Sequence, residues 1–330
     1  MKKSISVLLA AIIMVSCLSA CGSKDASKAS ASNKLQVVTT IFPEYDWVMN
    51  ILGDKASGVE VTMLLDNGVD LHSYQPTAED ILKISGCDLF IYVGGESDEW
   101  VEDALKEATN KDMVVIDLLD ALGDGVKEEE VVEGMQGEEE EEHEHEDGEE
   151  EIEYDEHVWL SLKNAASLTG KISDALQTVD KDNAEVYQAN AKEYISKLNE
   201  LDKKYQNVVS SASQKTLLFG DRFPFRYMVD DYALSYYAAF VGCSAETEAS
   251  FETISFLAGK VDELSLNCVM TIEGADHRIA ETIVKNTEKK DQKILTMDSM
   301  QSTTSKDVKG GATYLGIMEG NLGVLTEALN

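Results

Sequence analysis

The chain has 330 residues, enough for two domains of ordinary size, and 43% of them are hydrophobic, so a sizeable core is within reach. Against 62 acidic residues stand only 28 basic ones, a formal net charge of −34. Such a surface repels nucleic acid and anionic lipid headgroups, and cations are its natural company.

At the N-terminus Lys2 and Lys3 precede an apolar run, Val7 to Val15, too short to span a bilayer. Leu18-Ser19-Ala20-Cys21 follows and resembles the bacterial lipobox. Cleavage before Cys21 and acylation of its thiol predict a lipid-anchored protein on the extracytoplasmic face of the cell membrane, with 1–20 as signal peptide. The alternative is an ordinary secretory signal with an incidental Cys. Loss of the signal removes Lys2 and Lys3 and no acids, leaving the mature chain near −36. The Ser-, Ala- and Lys-rich stretch 21–33 reads as a flexible tether.

From Leu35 onward β-rich runs alternate with helical ones. Strands are predicted at Leu35–Phe42, Val59–Leu65, Cys87–Gly94 and Met113–Leu118. Helices are expected from Pro43, from Thr77 (a cap, with Asp80 three residues on) and over about Asp98–Ala108. From Glu128 to Glu156 the chain carries eighteen Asp and Glu and no Lys or Arg. Self-repulsion predicts disorder there. An amphipathic helix follows Asp155-Glu156-His157-Val158-Trp159-Leu160-Ser161.

The stretch Asp182 to about Ser210 carries Tyr187, Ala191, Tyr194, Leu198, Leu201, Tyr205 and Val208 on one helical stripe. Asp182 and Glu185 form a capping-box pattern, so one helix of about 28 residues is predicted, packed across two lobes. Beyond it the alternation repeats: strands at Thr216–Phe219, Ser235–Val241, Cys268–Ile272 and Ile294–Met297, with helices from Gly220 and over Glu252–Leu264, Ala280–Asn286 and Thr313–Leu329. The expected architecture is α/β, two (βα)4-like lobes with parallel sheets joined by one long rigid helix. The boundaries are 34–180 for the N-terminal lobe (acidic His-bearing loop 127–154), 181–212 for the linking helix and 213–330 for the C-terminal lobe.

In open parallel sheets, ligands bind beyond the carboxyl ends of strands. His72, Asp221, Glu273 and Asp298 stand at such ends, and His157 at the foot of a helix. Two imidazoles from one lobe and two carboxylates from the other suit a divalent cation. His277 is expected at the surface, with a second metal as its alternative role. Of five cysteines, Cys17 leaves with the signal and Cys21 carries lipid. Cys243 and Cys268 could form a disulfide, while Cys87 packs as a small hydrophobe.

The order of lipobox, His72-Ser73-Tyr74-Gln75-Pro76, acidic insert, Asp155-Glu156-His157-Val158-Trp159-Leu160-Ser161, long helix and late Asp298-Ser299 resembles the zinc/manganese substrate-binding lipoproteins of bacterial ABC transporters, zinc type. The resemblance spans nearly the whole mature chain. It implies His72, His157 and Asp298 as metal ligands. At the place of a third ligand, His or Glu in most members, this chain has Asp221. That departure leaves open a salt bridge from Asp221 to Arg222 or Arg226, with Glu273 or water completing the shell. His143 and His145 lie where zinc members carry a His-rich loop, and either hold cations weakly or belong to a solvated charge run.

The expected function is therefore Zn2+ capture at an inter-lobe site and delivery to an ABC permease and its ATPase, by a monomer with no enzymatic activity and no nucleic-acid partner. Mn2+ specificity, or a metal-stabilised adhesin, is the alternative. A metallohydrolase with Glu273 as base is a further rival, but no HExxH motif is present. Protonation of the two histidines predicts weaker binding as pH falls through about 6.5.

Overall fold

The computed structural model describes residues 34–136, 153–244, 248–274 and 276–330. Cys21, His143 and His145 lie outside them, as does most of the acidic run. Two four-stranded sheets, parallel throughout, carry the fold. The first comprises β1 (Leu35–Thr39), β2 (Val59–Met63), β3 (Leu89–Tyr92) and β4 (Val114–Asp117), in the order β2-β1-β3-β4. The second comprises β5 (Thr216–Phe223), β6 (Ser235–Val241), β7 (Cys268–Ile272) and β8 (Lys293–Met297), in the order β6-β5-β7-β8. The two orders match position for position, so each sheet has its change of winding direction beside its first strand.

Helices of the first half are α1 (Phe42–Leu52), α2 (Ala78–Gly86), α3 (Trp100–Lys106), α4 (Leu118–Leu122) and α5 (Leu162–Val179). The long helix α6 (Ala184–Ser211) follows, then α7 (Arg226–Tyr232), α8 (Phe251–Glu263), α9 (Arg278–Asn286), α10 (Ser305–Lys309) and α11 (Tyr314–Ala328). The α2 start is the expected one: Thr77 Oγ1 accepts from Asp80 N–H and the Asp80 carboxylate accepts from Thr77 N–H.

Helix α6 runs for 28 residues and buries Tyr187, Ala191, Tyr194, Leu198, Leu201 and Tyr205 as its spacing predicts, with Val209 rather than Val208 ending the stripe. Leu198, Leu201 and Val209 each contribute about 1.5–3 kcal/mol on leaving water. The helix is tied to both halves. Tyr194 Oη donates to Asp46 of α1 at 3.1 Å, and Tyr205 Oη donates to the Met318 carbonyl of α11 at 2.7 Å. Its start differs from expectation. Asp182 sits in a preceding 3-10 turn, and Asn183 at the cap position makes no cap bond. Asp180 takes over, accepting from Asn183 Nδ2 at 2.8 Å and Tyr187 Oη at 2.6 Å.

One apolar core runs from the inner faces of both sheets through α6, and a smaller one lies between α8, α9 and the second sheet. Trp47 meets Tyr314 edge to face at 5.4 Å across the halves. Strand β5 extends beyond the predicted Phe219 to Phe223, with a break in register between Phe219 and Arg222. Gly220 stands at that break because a Cβ there would meet Ala280 Cα at 2.6 Å.

The proposed disulfide is not formed: Cys87, Cys243 and Cys268 are all free thiols. The parallel register explains why. Phe219 pairs with Ala238 on one side and Met270 on the other, which places Cys268 level with Tyr236. Cys243 stands seven residues farther along, roughly 20 Å at 3.3 Å per residue, whereas a disulfide needs Cα atoms within about 7 Å. Cys87 is fully buried, its Sγ 3.4 Å from Met113 Sδ, as a small hydrophobe would be.

The described ends of the acidic run are ordered, contrary to the predicted disorder. Glu128 bridges Tyr154, Glu129 N–H donates to the Glu153 carbonyl at 2.9 Å, and Gln136 bridges Phe240. Backbone pairing there outweighs the charge repulsion.

Candidate metal centre

Two Asp-x-His segments build the site in the same way. In the turn after β2, Asp70 Oδ1 accepts the His72 backbone N–H at 3.1 Å. In the segment before α5, Asp155 Oδ1 accepts the His157 backbone N–H at 2.8 Å. Each aspartate side chain thus replaces a backbone acceptor and fixes the loop that carries its histidine.

The second segment is clamped by three residues of the C-terminal half. Trp159 Nε1 donates to the Ser299 carbonyl at 2.8 Å, Tyr314 Oη to the Trp159 carbonyl at 2.6 Å, and Tyr227 Oη to the Asp155 carbonyl at 2.7 Å. His157 is fully buried and packs at 5.2 Å against Trp159. Its Nδ1 lies 3.0 Å from Asp155 Oδ1. The Nδ1 of His72 lies 2.8 Å from Ser97 Oγ and 3.4 Å from Glu156 Oε2. Burial alone would raise the Glu156 carboxyl, but the hydrogen bond and charge of His72, with Ser97, hold it below its ordinary value. Gly95 makes room for this carboxylate, since a Cβ there would lie 2.4 Å from Glu156 Oε1.

The Asp155 carboxylate can only accept, so His157 carries its proton on Nδ1 and its lone pair on Nε2, whereas the Nδ1 of His72 is bonded to the Ser97 hydroxyl, which can donate or accept. The two Nε2 atoms face each other at 3.1 Å. Two zinc–nitrogen bonds of about 2.0–2.1 Å at a tetrahedral angle would place their nitrogens about 3.3–3.4 Å apart, so the pair is already near the bite of one ion.

The second half contributes differently from the expectation. Among the described residues, the donor atoms lying within 4.8 Å of one another are those of His72, His157 and Cys243. Asp221 and Asp298 are not in that group. Asp221 accepts backbone N–H bonds from Arg222 at 2.9 Å and Ile272 at 3.2 Å, which pin the β5 irregularity to β7. Burial raises its carboxyl above the ordinary value despite those bonds. It makes no salt bridge to either arginine: Arg222 pairs with Asp70, and Arg226 with Glu130 and Asp230. The Arg222–Asp70 pair crosses from one half to the other.

Glu273 holds the loop after β8, accepting from Ser299 N–H at 2.6 Å, Ser299 Oγ at 2.7 Å and Gln301 N–H at 3.2 Å. It is a brace for that loop. Asp298 accepts from Met300 N–H at 2.8 Å, and burial followed by the charge of Glu273 pushes its carboxyl up to about 6. His277 caps α9 in a left-handed conformation, partly buried on the wall of a cleft of about 470 Å3 that Asp221, Arg222 and Glu273 also line. It is half-buried in that open cleft.

A smaller cavity, of about 260 Å3, opens on His72 and Cys243, with Glu96, Glu129, Glu153 and Glu156 around it. Burial, then the charges of Asp155, Glu129 and Glu156, push the Cys243 thiol well above its ordinary value.

The family model described as zinc-uptake complex component A, periplasmic, matches residues 37–328. The chain belongs to that family. The zinc-binding lipoprotein AdcA of Streptococcus pneumoniae is 32% identical over 332 residues, covering 98% of this chain and 61% of AdcA, so the chain spans about three-fifths of that relative's length. The high-affinity zinc uptake system protein ZnuA of Bacillus subtilis is 30% identical, covering 98% of this chain and 96% of its own. The crystal structure of the Zn(II)-bound ZnuA-like domain of S. pneumoniae AdcA superposes with a TM-score of 0.68 at 29% identity, covering 90% of this chain and 99% of that one.

Asp155, Ser97, Glu156 and Cys243 were not singled out from the sequence as site residues. The repeated Asp-x-His at 70–72 and 155–157 was a legible signal for Asp155. Ser97 and Cys243 carry none, because chain folding alone brings them to the histidines, and Glu156, next to His157 in the chain, reaches His72 only through folding.

Proposed function

We propose that this chain captures Zn2+ between its two halves and hands it to an ABC permease driven by an ATPase. In this reading His72 and His157 donate their Nε2 atoms, and Asp298 supplies a carboxylate from the loop after β8. The single observation that supports it is the pair of Nε2 atoms 3.1 Å apart, with the Nδ1 of His157 held by Asp155 and the Nδ1 of His72 held by Ser97 beside Glu156. Such outer partners orient the ring and raise its basicity, as in carboxylate–histidine–zinc sites. Asp221, its oxygens engaged by two backbone N–H groups, serves to shape β5.

Imidazole donors suit zinc, whereas manganese is better served by oxygen. The role is capture and release, with no bond made or broken other than those to the ion. Lipid on Cys21 would hold the protein at the extracytoplasmic face, within reach of a permease. Elemental analysis of protein purified without added metal tests this directly. One zinc per chain is expected in the wild type and in Asp221→Ala, with its loss in His72→Ala and His157→Ala. Retention of zinc by both histidine variants would overturn the reading. A deletion strain should in addition fail to grow when zinc is scarce and recover when it is supplied.

A further inference from the structure

We infer that the Cys243 sulfur is a third zinc ligand, forming with His72 and His157 a face of two nitrogens and one sulfur that selects zinc over manganese. The inference rests on the reading of the two histidines as zinc donors. Its first support is placement. Cys243 follows the carboxyl end of β6, and its Sγ and one ring nitrogen of each of His72 and His157 all lie within 4.8 Å of one another. A tetrahedral zinc with sulfur at about 2.3 Å and nitrogen at about 2.0–2.1 Å spaces those atoms about 3.6 Å apart, so a contraction of at most roughly 1.2 Å closes the set.

The second support is how the backbone reaches that place. A Cβ at Gly242 would lie 3.0 Å from His157 Nδ1, His157 Cε1 and the Phe223 carbonyl, so glycine lets the turn press against the imidazole. Cys243 N–H donates to Glu129 Oε1 at 3.2 Å, which orients the turn from the other side. The third support is the donor set of the second half. Asp221, at the sequence position expected to supply a ligand from that half, is bonded to backbone instead, and Arg222 beside it is paired with Asp70.

A cysteine serving only as a small hydrophobe would sit among apolar groups, as Cys87 does. Cys243 instead faces a cavity walled by glutamates and a histidine. When the ion binds, the zinc–sulfur bond replaces the S–H bond and the proton leaves to water in that cavity. Thiolate and Asp298 carboxylate together then neutralise the dication. A soft sulfur donor favours zinc and disfavours manganese.

Cobalt(II) is the probe, added to the mature full-length chain under reducing conditions. The wild type is expected to show tetrahedral d–d absorption together with a near-ultraviolet thiolate-to-cobalt band. Cys243→Ser and Cys243→Ala should keep cobalt but lose the thiolate band, and should bind zinc weaker by more than about 100-fold, the upper end of what losing an outer-shell partner costs. Their zinc-to-manganese preference should fall with it. Zinc should also protect Cys243 of the wild type from alkylation, read by peptide mass spectrometry, which does not depend on any variant folding. Wild-type cobalt protein without a thiolate band, or alkylation unaffected by zinc, would overturn the assignment of sulfur while leaving the histidine site standing. Failure of the wild type to bind either metal would overturn both.

Discussion

The Asp155 carboxylate accepts twice from His157, from the backbone N–H at 2.8 Å and from Nδ1 at 3.0 Å, through the same oxygen. One side chain thereby sets both the loop conformation and the tautomer of the ring. Asp155→Asn should keep an acceptor for one of these bonds but remove the charge behind the imidazole. Zinc affinity is expected to fall about 10–100-fold with little change in melting temperature. Competition against a chromogenic chelator checks the first, and a melt of the metal-free protein the second.

Metal-free stability should fall as pH rises from 5 to 8. Burial raises Asp46 and Asp298 to about 6 and Asp98 and Glu129 to about 7. A carboxyl whose folded value lies above its unfolded value of about 4 binds more protons when folded, so its contribution is lost as pH rises through that window. Asp98 alone accounts for something on the order of 4 kcal/mol at most. Asp70 and Glu156, held low, act in the opposite sense and only below about pH 4. Denaturant titrations in chelator check the slope, and Asp98→Asn, which keeps an acceptor for Val93 and Gly94 N–H, should flatten it.

Gly95→Ala should damage the His72 side of the site. The position has φ +80, and a Cβ would lie 2.4 Å from Glu156 Oε1. A left-handed alanine costs roughly 1–3 kcal/mol, and displacing the carboxylate removes the charge beside His72 Nδ1 and the acceptor of the Ser97 N–H. Lower melting temperature and weaker zinc binding are both expected, whereas Gly170→Ala, with nothing within 4 Å, should leave binding unchanged.

Zinc should change the shape of the molecule little. Helix α6 is fastened to α1 through Tyr194 and to α11 through Tyr205, and one core spans both sheets. Small-angle scattering with and without zinc should give nearly equal radii of gyration, and a change of several ångströms would contradict a rigid strut. Tyr205→Phe, which leaves the Met318 carbonyl without its hydroxyl partner, should cost about 1 kcal/mol.

Local order of side chains was enough to read the elements. Period-two and period-3.6 patterns report burial along a strand or helix, and both four-stranded sheets, α6 and its stripe follow from them. The histidines were legible because Asp-x-His occurs at 70–72 and again at 155–157, each with the turn chemistry inside the motif. What stood opposite them was not. Cys243 meets residues 86 and 171 positions away in the chain, and the close approach of Gly242, in the turn after β6, to His157 brings it there. Asp221 resembled a ligand by position, yet the irregularity in β5 turned its oxygens to backbone N–H groups. Spacing along a chain carries the identity of nearby partners. Which distant groups share a cavity is decided by how strands are ordered and where a register breaks.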